Sequence, residues 1–117
     1  MRLINHCYEK AFDKSSELSK RIEYLHTIEM CRDYVTPHDC VIKSVDLWNE
    51  LAYLVVQSDC KLTGKYLYML LGIAKELEDI TAISENLKMA LQQRMKRVSE
   101  SDSIDTMVYY RIVELRL

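Results

Sequence analysis

Apolar residues recur at helical spacing from the N-terminus onwards. Steps of three and four connect Leu3, Ile4, Cys7, Tyr8, Ala11, Phe12, Leu18, Ile22, Leu25 and Ile28. This period is typical of amphipathic α-helices. Asp13, Ser15 and Ser16 interrupt the stripe with residue types that favour helix caps. We therefore predict that the first helical segment breaks or bends at residues 13–16.

The segment Thr36-Pro37-His38-Asp39 carries the strongest helix-start signal of the chain. Thr36 can cap a helix, and proline suits the first helical position. The Asp39 side chain can complete a capping box by accepting a hydrogen bond from the Thr36 backbone N–H. We predict a helix that begins at Pro37. Its apolar stripe includes Trp48 and is wide enough to contact more than one neighbour, so we expect this helix to be central.

A third stripe opens after the cap-forming residues 58–61. It contains Leu62, Tyr66, Leu70, Ile73, Leu77 and Ile80, and it stays in phase through Leu87, Leu91, Met95 and Val98. Thr81 and Ser84 are both suitable caps, so residues 63–99 form either one long helix or two. Residues 99–103 have the composition of a loop and precede a short last helix.

Composition narrows the fold to one class. A chain of 117 residues with 49% hydrophobic content suits one domain, spanning 1–117, with one core. Two glycines and one proline leave few residues for hairpins and tight turns, which disfavours a β-rich fold. We predict an all-α fold, a single-domain bundle of four to five amphipathic helices that is mostly up-and-down.

The net charge of the chain does not indicate binding to nucleic acid or to an anionic membrane. Sixteen basic and eighteen acidic residues leave a formal charge of -2. The longest apolar runs are far shorter than the roughly 20 residues of a membrane-spanning helix. The first residues also lack the apolar stretch of a signal peptide. We expect a cytoplasmic protein that does not act at a membrane.

The candidate metal ligands are Cys31, His38, Cys40 and Cys60. Their spacing, C-x6-H-x-C-x19-C, differs from structural zinc sites, which place paired ligands roughly two to four residues apart. In a reducing compartment, these cysteines and Cys7 are better interpreted as small core residues. We therefore predict no metal site and no cofactor.

Arg21 and His26 are separated by four residues and form the pattern R-x4-H. This spacing resembles the motif of the HEPN helical ribonucleases. The resemblance covers six residues and implies an arginine and a histidine that meet across a dimer and act on RNA phosphodiesters. Histidine can move a proton near neutral pH, and arginine can hold a phosphate. A ribonuclease that uses Arg21 and His26 is the first alternative function.

Positive charge is concentrated on one segment, which contains Lys88, Arg94, Lys96 and Arg97. Such a helix could contact phosphates or an acidic partner. No aromatic residue is interleaved for base stacking, and the helix dipole also favours basic residues near a C-terminus. We interpret this basic segment as a solvated face and keep a nucleic-acid-binding bundle as a further alternative.

Eight tyrosines exceed what one small core requires, and tyrosine is enriched at protein interfaces. The candidate partner-binding residues are Trp48, Tyr53, Tyr66, Tyr68, Tyr109 and Tyr110. The chain contains no recognised catalytic motif or phosphate-binding loop, and no small-molecule substrate is indicated. The sequence predicts a non-enzymatic helical protein-interaction module, an adaptor, chaperone or regulator, that binds a protein partner, forms a homodimer, or does both.

Overall fold

Six α-helices make up most of the described chain. The structure, a computed structural model, describes residues 2–36, 39–58, 61–77, 83–97 and 103–115. The helices are α1 (Arg2–Ala11), α2 (Leu18–Met30), α3 (Val45–Ser58), α4 (Thr63–Ala74), α5 (Glu85–Arg97) and α6 (Ser103–Glu114). These ranges contain no strand. The all-α prediction is confirmed, the count of four to five helices was too low, and the mostly up-and-down arrangement stays a prediction.

The predicted break at residues 13–16 is confirmed. The Asp13 carboxylate accepts hydrogen bonds from the Ser15 backbone N–H at 2.9 Å and from the Ser15 hydroxyl at 2.6 Å. The Ser16 hydroxyl donates to the same carboxylate at 3.1 Å. Local bonds of this kind compete with the helical pattern. As a result, α1 ends at Ala11 and α2 begins at Leu18.

The prediction of a helix start at Pro37 is wrong. The Asp39 carboxylate accepts the Thr36 backbone N–H at 2.8 Å, as in a capping box, but no helix follows directly. Helix α3 begins only at Val45, and its cap is Ser44, whose hydroxyl accepts the Leu47 N–H at 3.3 Å. The intervening segment includes β-branched residues, which favour extended backbone. Residues 37 and 38 lie outside the described residues.

Residues 63–99 contain two helices, α4 and α5. Ser84 caps α5, because its hydroxyl accepts the Leu87 N–H at 3.2 Å. Its own backbone N–H donates to Asn49 Oδ1 on α3 at 3.1 Å, which anchors the start of α5. The alternative cap Thr81 and most of the predicted loop at 99–103 lie outside the described residues, and the short last helix is observed as α6.

Helix α4 is the most enclosed element, with nine of its twelve residues buried. It packs against α2, α3 and α6, while α1 packs on α2 and α5 packs on α3. The central helix is therefore α4 and not the helix of Trp48. Trp48 lies at the α3–α4 contact, where its indole N–H donates to the Leu70 carbonyl at 2.8 Å. The radius of gyration is 13.2 Å, close to the roughly 13 Å of a compact domain of this size.

Gly64 of α4 lies against Ile104 and Asp105 of α6. A Cβ atom at this position would lie 3.1 Å from Asp105 Oδ1. Further along both helices, Arg111 contacts Tyr68, so α4 and α6 run in the same direction. A Cβ atom at Gly64 would therefore require the Asp105 carboxylate to shift by a few tenths of an ångström.

Candidate functional site

A half-open groove of 390 Å³ lies between the C-terminal end of α2 and the α4–α6 pair. Its apolar and aromatic lining consists of Tyr8, Ile28, Val35, Tyr68, Met69, Ile73, Ile104 and Met107. Its polar lining consists of Glu29, Arg32, Thr36, Lys65 and Arg111. We call this feature the α2–α4–α6 groove. Small-molecule sites usually measure about 300–1,000 Å³ and are mainly apolar with a few polar groups, which describes this groove.

Tyr8 of α1 is a buried residue in the groove wall. Its side chain is 1% exposed, and the hydroxyl makes no hydrogen bond with the described residues. Burial, and then the neighbouring Cys40 and Asp39, raise the pKa of Tyr8 above its ordinary value. The phenol therefore stays neutral at physiological pH and can act as a hydrogen-bond donor.

Three cations line the groove beside one carboxylate. The guanidinium of Arg32 pairs with Glu29 at 3.1 Å. Arg111 stacks over the ring of Tyr68, 3.5 Å from its centroid, and donates to the Tyr68 carbonyl. Neither Lys65 nor Arg111 forms an ion pair with any described carboxylate. The groove therefore presents positive charge that the described carboxylates do not neutralise.

The structure does not bring Arg21 and His26 together within the chain. Side chains five positions apart on an α-helix point in directions about 140° apart around the helix axis. Arg21 is 1% exposed, and its Nε donates to the Ala11 carbonyl at 2.8 Å. Its two terminal nitrogens donate to the Glu50 carboxylate at 2.7 and 2.5 Å. This arginine ties α1, α2 and α3 together, whereas His26 is half-buried with Nδ1 3.3 Å from the Tyr66 hydroxyl oxygen.

Two of the predicted partner-binding residues lie in the core. Trp48 is 0% exposed and Tyr66 is 3% exposed. The prediction of a partner surface at these two residues is corrected for one physical reason. Trp48 faces α4, and Tyr66 belongs to α4 itself, which is the helix enclosed on most sides. Both residues contribute to packing and offer no surface to a partner in this fold.

The other four predicted residues reach the surface to different degrees. Tyr53 stands on α3 with 37% exposure, and Tyr68 is half-buried in the groove wall. Tyr109 and Tyr110 of α6 are 52% and 66% exposed, and their rings meet edge to face with centroids 5.9 Å apart. The aromatic surface of the described chain is therefore most extensive on α6.

The basic segment does not form one surface patch. Arg94 is 6% exposed and lies 3.3 Å from the Asp105 carboxylate of α6. Lys88 pairs with Glu85 at 3.3 Å on the same helix. Of the four predicted residues, Lys96 and Arg97 are exposed, both at the end of α5. The buried Arg94 stabilises the contact between α5 and α6 and is not accessible to a phosphate at the surface.

Of the three described cysteines, Cys7 and Cys40 are buried in the core and Cys31 is half-buried against it. Burial raises the pKa of the Cys40 thiol, and burial followed by the nearby Cys31 raises that of Cys7. A raised thiol pKa disfavours the nucleophilic thiolate at neutral pH. Across the described ranges, no cluster of three or more His, Cys, Asp or Glu side chains could hold a metal ion. His38 and Cys60 lie outside those ranges.

Sequence reasoning missed the groove as a site. Its wall combines α1, the end of α2 with the segment after it, α4 and α6. No local pattern connects positions as distant as Tyr8, Lys65 and Arg111.

Among the described residues, no helix has the length and apolarity needed to cross a membrane.

Comparisons with known proteins add no assignment to these features. No protein-family model, no curated protein and no solved structure matches this chain. The functional interpretation therefore depends on the residues and their geometry.

Proposed function

We propose that this chain is a non-enzymatic protein-interaction module that binds a second copy of itself through α6. The observation that carries the proposal is a cluster of exposed apolar side chains on one side of this helix. They are Met107, Tyr109, Tyr110 and Val113, with exposures of 43%, 52%, 66% and 55%. We call this cluster the outward face of α6. Its members lie within about 160° around the helix axis.

Helix α6 is apolar on two sides. Val108 and Ile112 are buried, 0% and 6% exposed, on the side that packs against α4. A helix at the surface of an isolated domain usually pairs one apolar side with one polar side. Contiguous exposed apolar residues mark interaction sites more often than scattered ones do. The outward face therefore supports an additional protein contact.

A second copy of the chain is a suitable partner for this face. None of its four residues is charged, so a twofold arrangement would place no like charges opposite each other at its centre. Tyrosine and methionine add large contact area and adaptable packing. No observation in the described chain specifically favours the ribonuclease or nucleic-acid alternative, since Arg21 and Arg94 are both buried in ion pairs.

Light scattering after size-exclusion chromatography tests the proposal. We expect the unmodified chain to elute as a dimer and Tyr110→Glu to raise the dissociation constant at least about tenfold, because a buried unpaired carboxylate is costly. Met89→Glu is the matched control, since Met89 is 56% exposed on α5 and should leave the dimer intact. A chain that stays monomeric at high concentration would contradict self-association. Equal losses in both variants would contradict the role of α6.

A further inference from the structure

The α2–α4–α6 groove has the size of a small-molecule site. Its 390 Å³ is at the low end of the range for such sites, whereas an α-helix with side chains is about 10–12 Å wide. The groove is bounded by α4 and α6 on one side and by the end of α2 on the other. A compact, mainly apolar molecule fits this enclosure better than a helix of a partner does.

Two independent features of the lining select the chemistry of that molecule. Tyr8 is a buried residue of the lining, and its hydroxyl has no hydrogen-bond partner among the described residues, so it can donate a hydrogen bond to a ligand. Lys65 and Arg111 add positive charge without a described carboxylate to neutralise it. The lining therefore suits a ligand that accepts hydrogen bonds and carries negative charge.

The groove also contains opposing charges that constrain the ligand. Glu29 lines it but is already paired with Arg32. The Glu29 carboxylate still contributes a negative charge to the lining, so a ligand with two full negative charges meets more repulsion than a ligand with one. A single carboxylate at the end of an apolar body satisfies these conditions better than a phosphate with two charges does.

We propose that the α2–α4–α6 groove binds a small, mainly apolar carboxylate. Its apolar part contacts the walls formed by Ile28, Met69 and Ile73. Its negative charge lies beside Lys65 and Arg111, and the Tyr8 hydroxyl donates a hydrogen bond to it. This site does not depend on self-association, because the outward face of α6 is a different surface that shares only Met107 with the groove.

Sodium decanoate below its micelle concentration is the first probe, and decyltrimethylammonium bromide is the charge-reversed control. Titration of the full chain is followed by methyl NMR and calorimetry. We expect decanoate to shift the methyl signals of Ile28, Ile73 and Ile104, and to bind at least about tenfold more tightly than the cation. Equal binding of both amphiphiles, or decanoate shifts confined to the outward face of α6, would overturn the proposal.

Two variants and two controls test whether the ligand occupies the groove. Met69→Trp fills the cavity and should abolish binding while the chain remains folded by circular dichroism. Lys65→Gln should weaken decanoate binding about two- to fivefold, since an exposed charge contributes modestly. Lys61→Gln removes an exposed lysine outside the groove lining and should leave the affinity unchanged. Undiminished binding by folded Met69→Trp would exclude the groove, and Tyr110→Glu should dissociate the dimer without changing decanoate affinity.

Discussion

Polar side chains near one end of α2 are paired within the chain, whereas two near the other end have no partner among the described residues. At the N-terminal end, all three side-chain nitrogens of Arg21 donate hydrogen bonds, to the Ala11 carbonyl and to Glu50. At the C-terminal end, the groove contains the Tyr8 hydroxyl without a described partner and Lys65 without a described carboxylate. The first region is complete within the chain and stabilises the fold. The second region is the site that we propose for a small carboxylate ligand.

The largest effect is expected at Arg21. Arg21→Met should lower the free energy of unfolding by about 3 kcal/mol, because the Ala11 carbonyl and the partly buried Glu50 carboxylate lose their donors. Urea denaturation measures this change. Lys20→Met alters the neighbouring exposed lysine, with 67% side-chain exposure, and should cost less than about 0.5 kcal/mol. Equal, small losses in both variants would show that the Arg21 contacts do not stabilise the fold.

A smaller effect is expected at Gly64, where α4 contacts α6. Alanine there would require the Asp105 carboxylate to move, although that group is buried and paired with Arg94. Overpacking of this kind should outweigh the gain in helix propensity and leave a net loss of about 1 kcal/mol.

Thermal unfolding of Gly64→Ala measures this loss, with Lys65→Ala as the neighbouring exposed control. Methyl NMR of Ile104 reports whether α6 is displaced. Stabilisation by about 1 kcal/mol, as helix propensity alone predicts, would show that the α4–α6 contact is less tight than its geometry indicates.

The smallest effect on stability, and the sharpest contrast with Arg21, is expected at Tyr8. Tyr8→Phe removes a hydroxyl that has no hydrogen-bond partner among the described residues, so the free energy of unfolding should change by less than about 1 kcal/mol. Decanoate affinity should fall about fivefold, because the ligand loses a donor. Lower stability together with unchanged affinity would assign the hydroxyl a structural role and separate it from the groove ligand.

The helical elements follow from the sequence because their signals are local. Periodic apolar residues predict most of the helices, and the Asp13 and Ser84 side chains act within a few residues of their own positions. The same local reasoning failed at Thr36–Asp39, where the capping contact forms but the helix does not begin. A side-chain cap can close a turn whatever backbone follows it.

The candidate sites were predictable only in part. Tyr109 and Tyr110 were recognised by residue type, and the structure places them on an exposed face. Trp48 and Tyr66 have the same chemistry, yet both are buried. Residue type describes what a side chain can contact, whereas exposure depends on which distant segment covers it.

The sequence by itself determined the helical class, the break between α1 and α2, and the absence of any recognised catalytic motif, since each depends on neighbouring residues. The tertiary structure alone decided that Arg21 is an internal ion-pair residue and that Tyr8, Lys65 and Arg111 line one groove. These residues are far apart along the chain, and only the packing of α1, α2, α4 and α6 determines which of their polar groups meet partners and which remain open to a ligand.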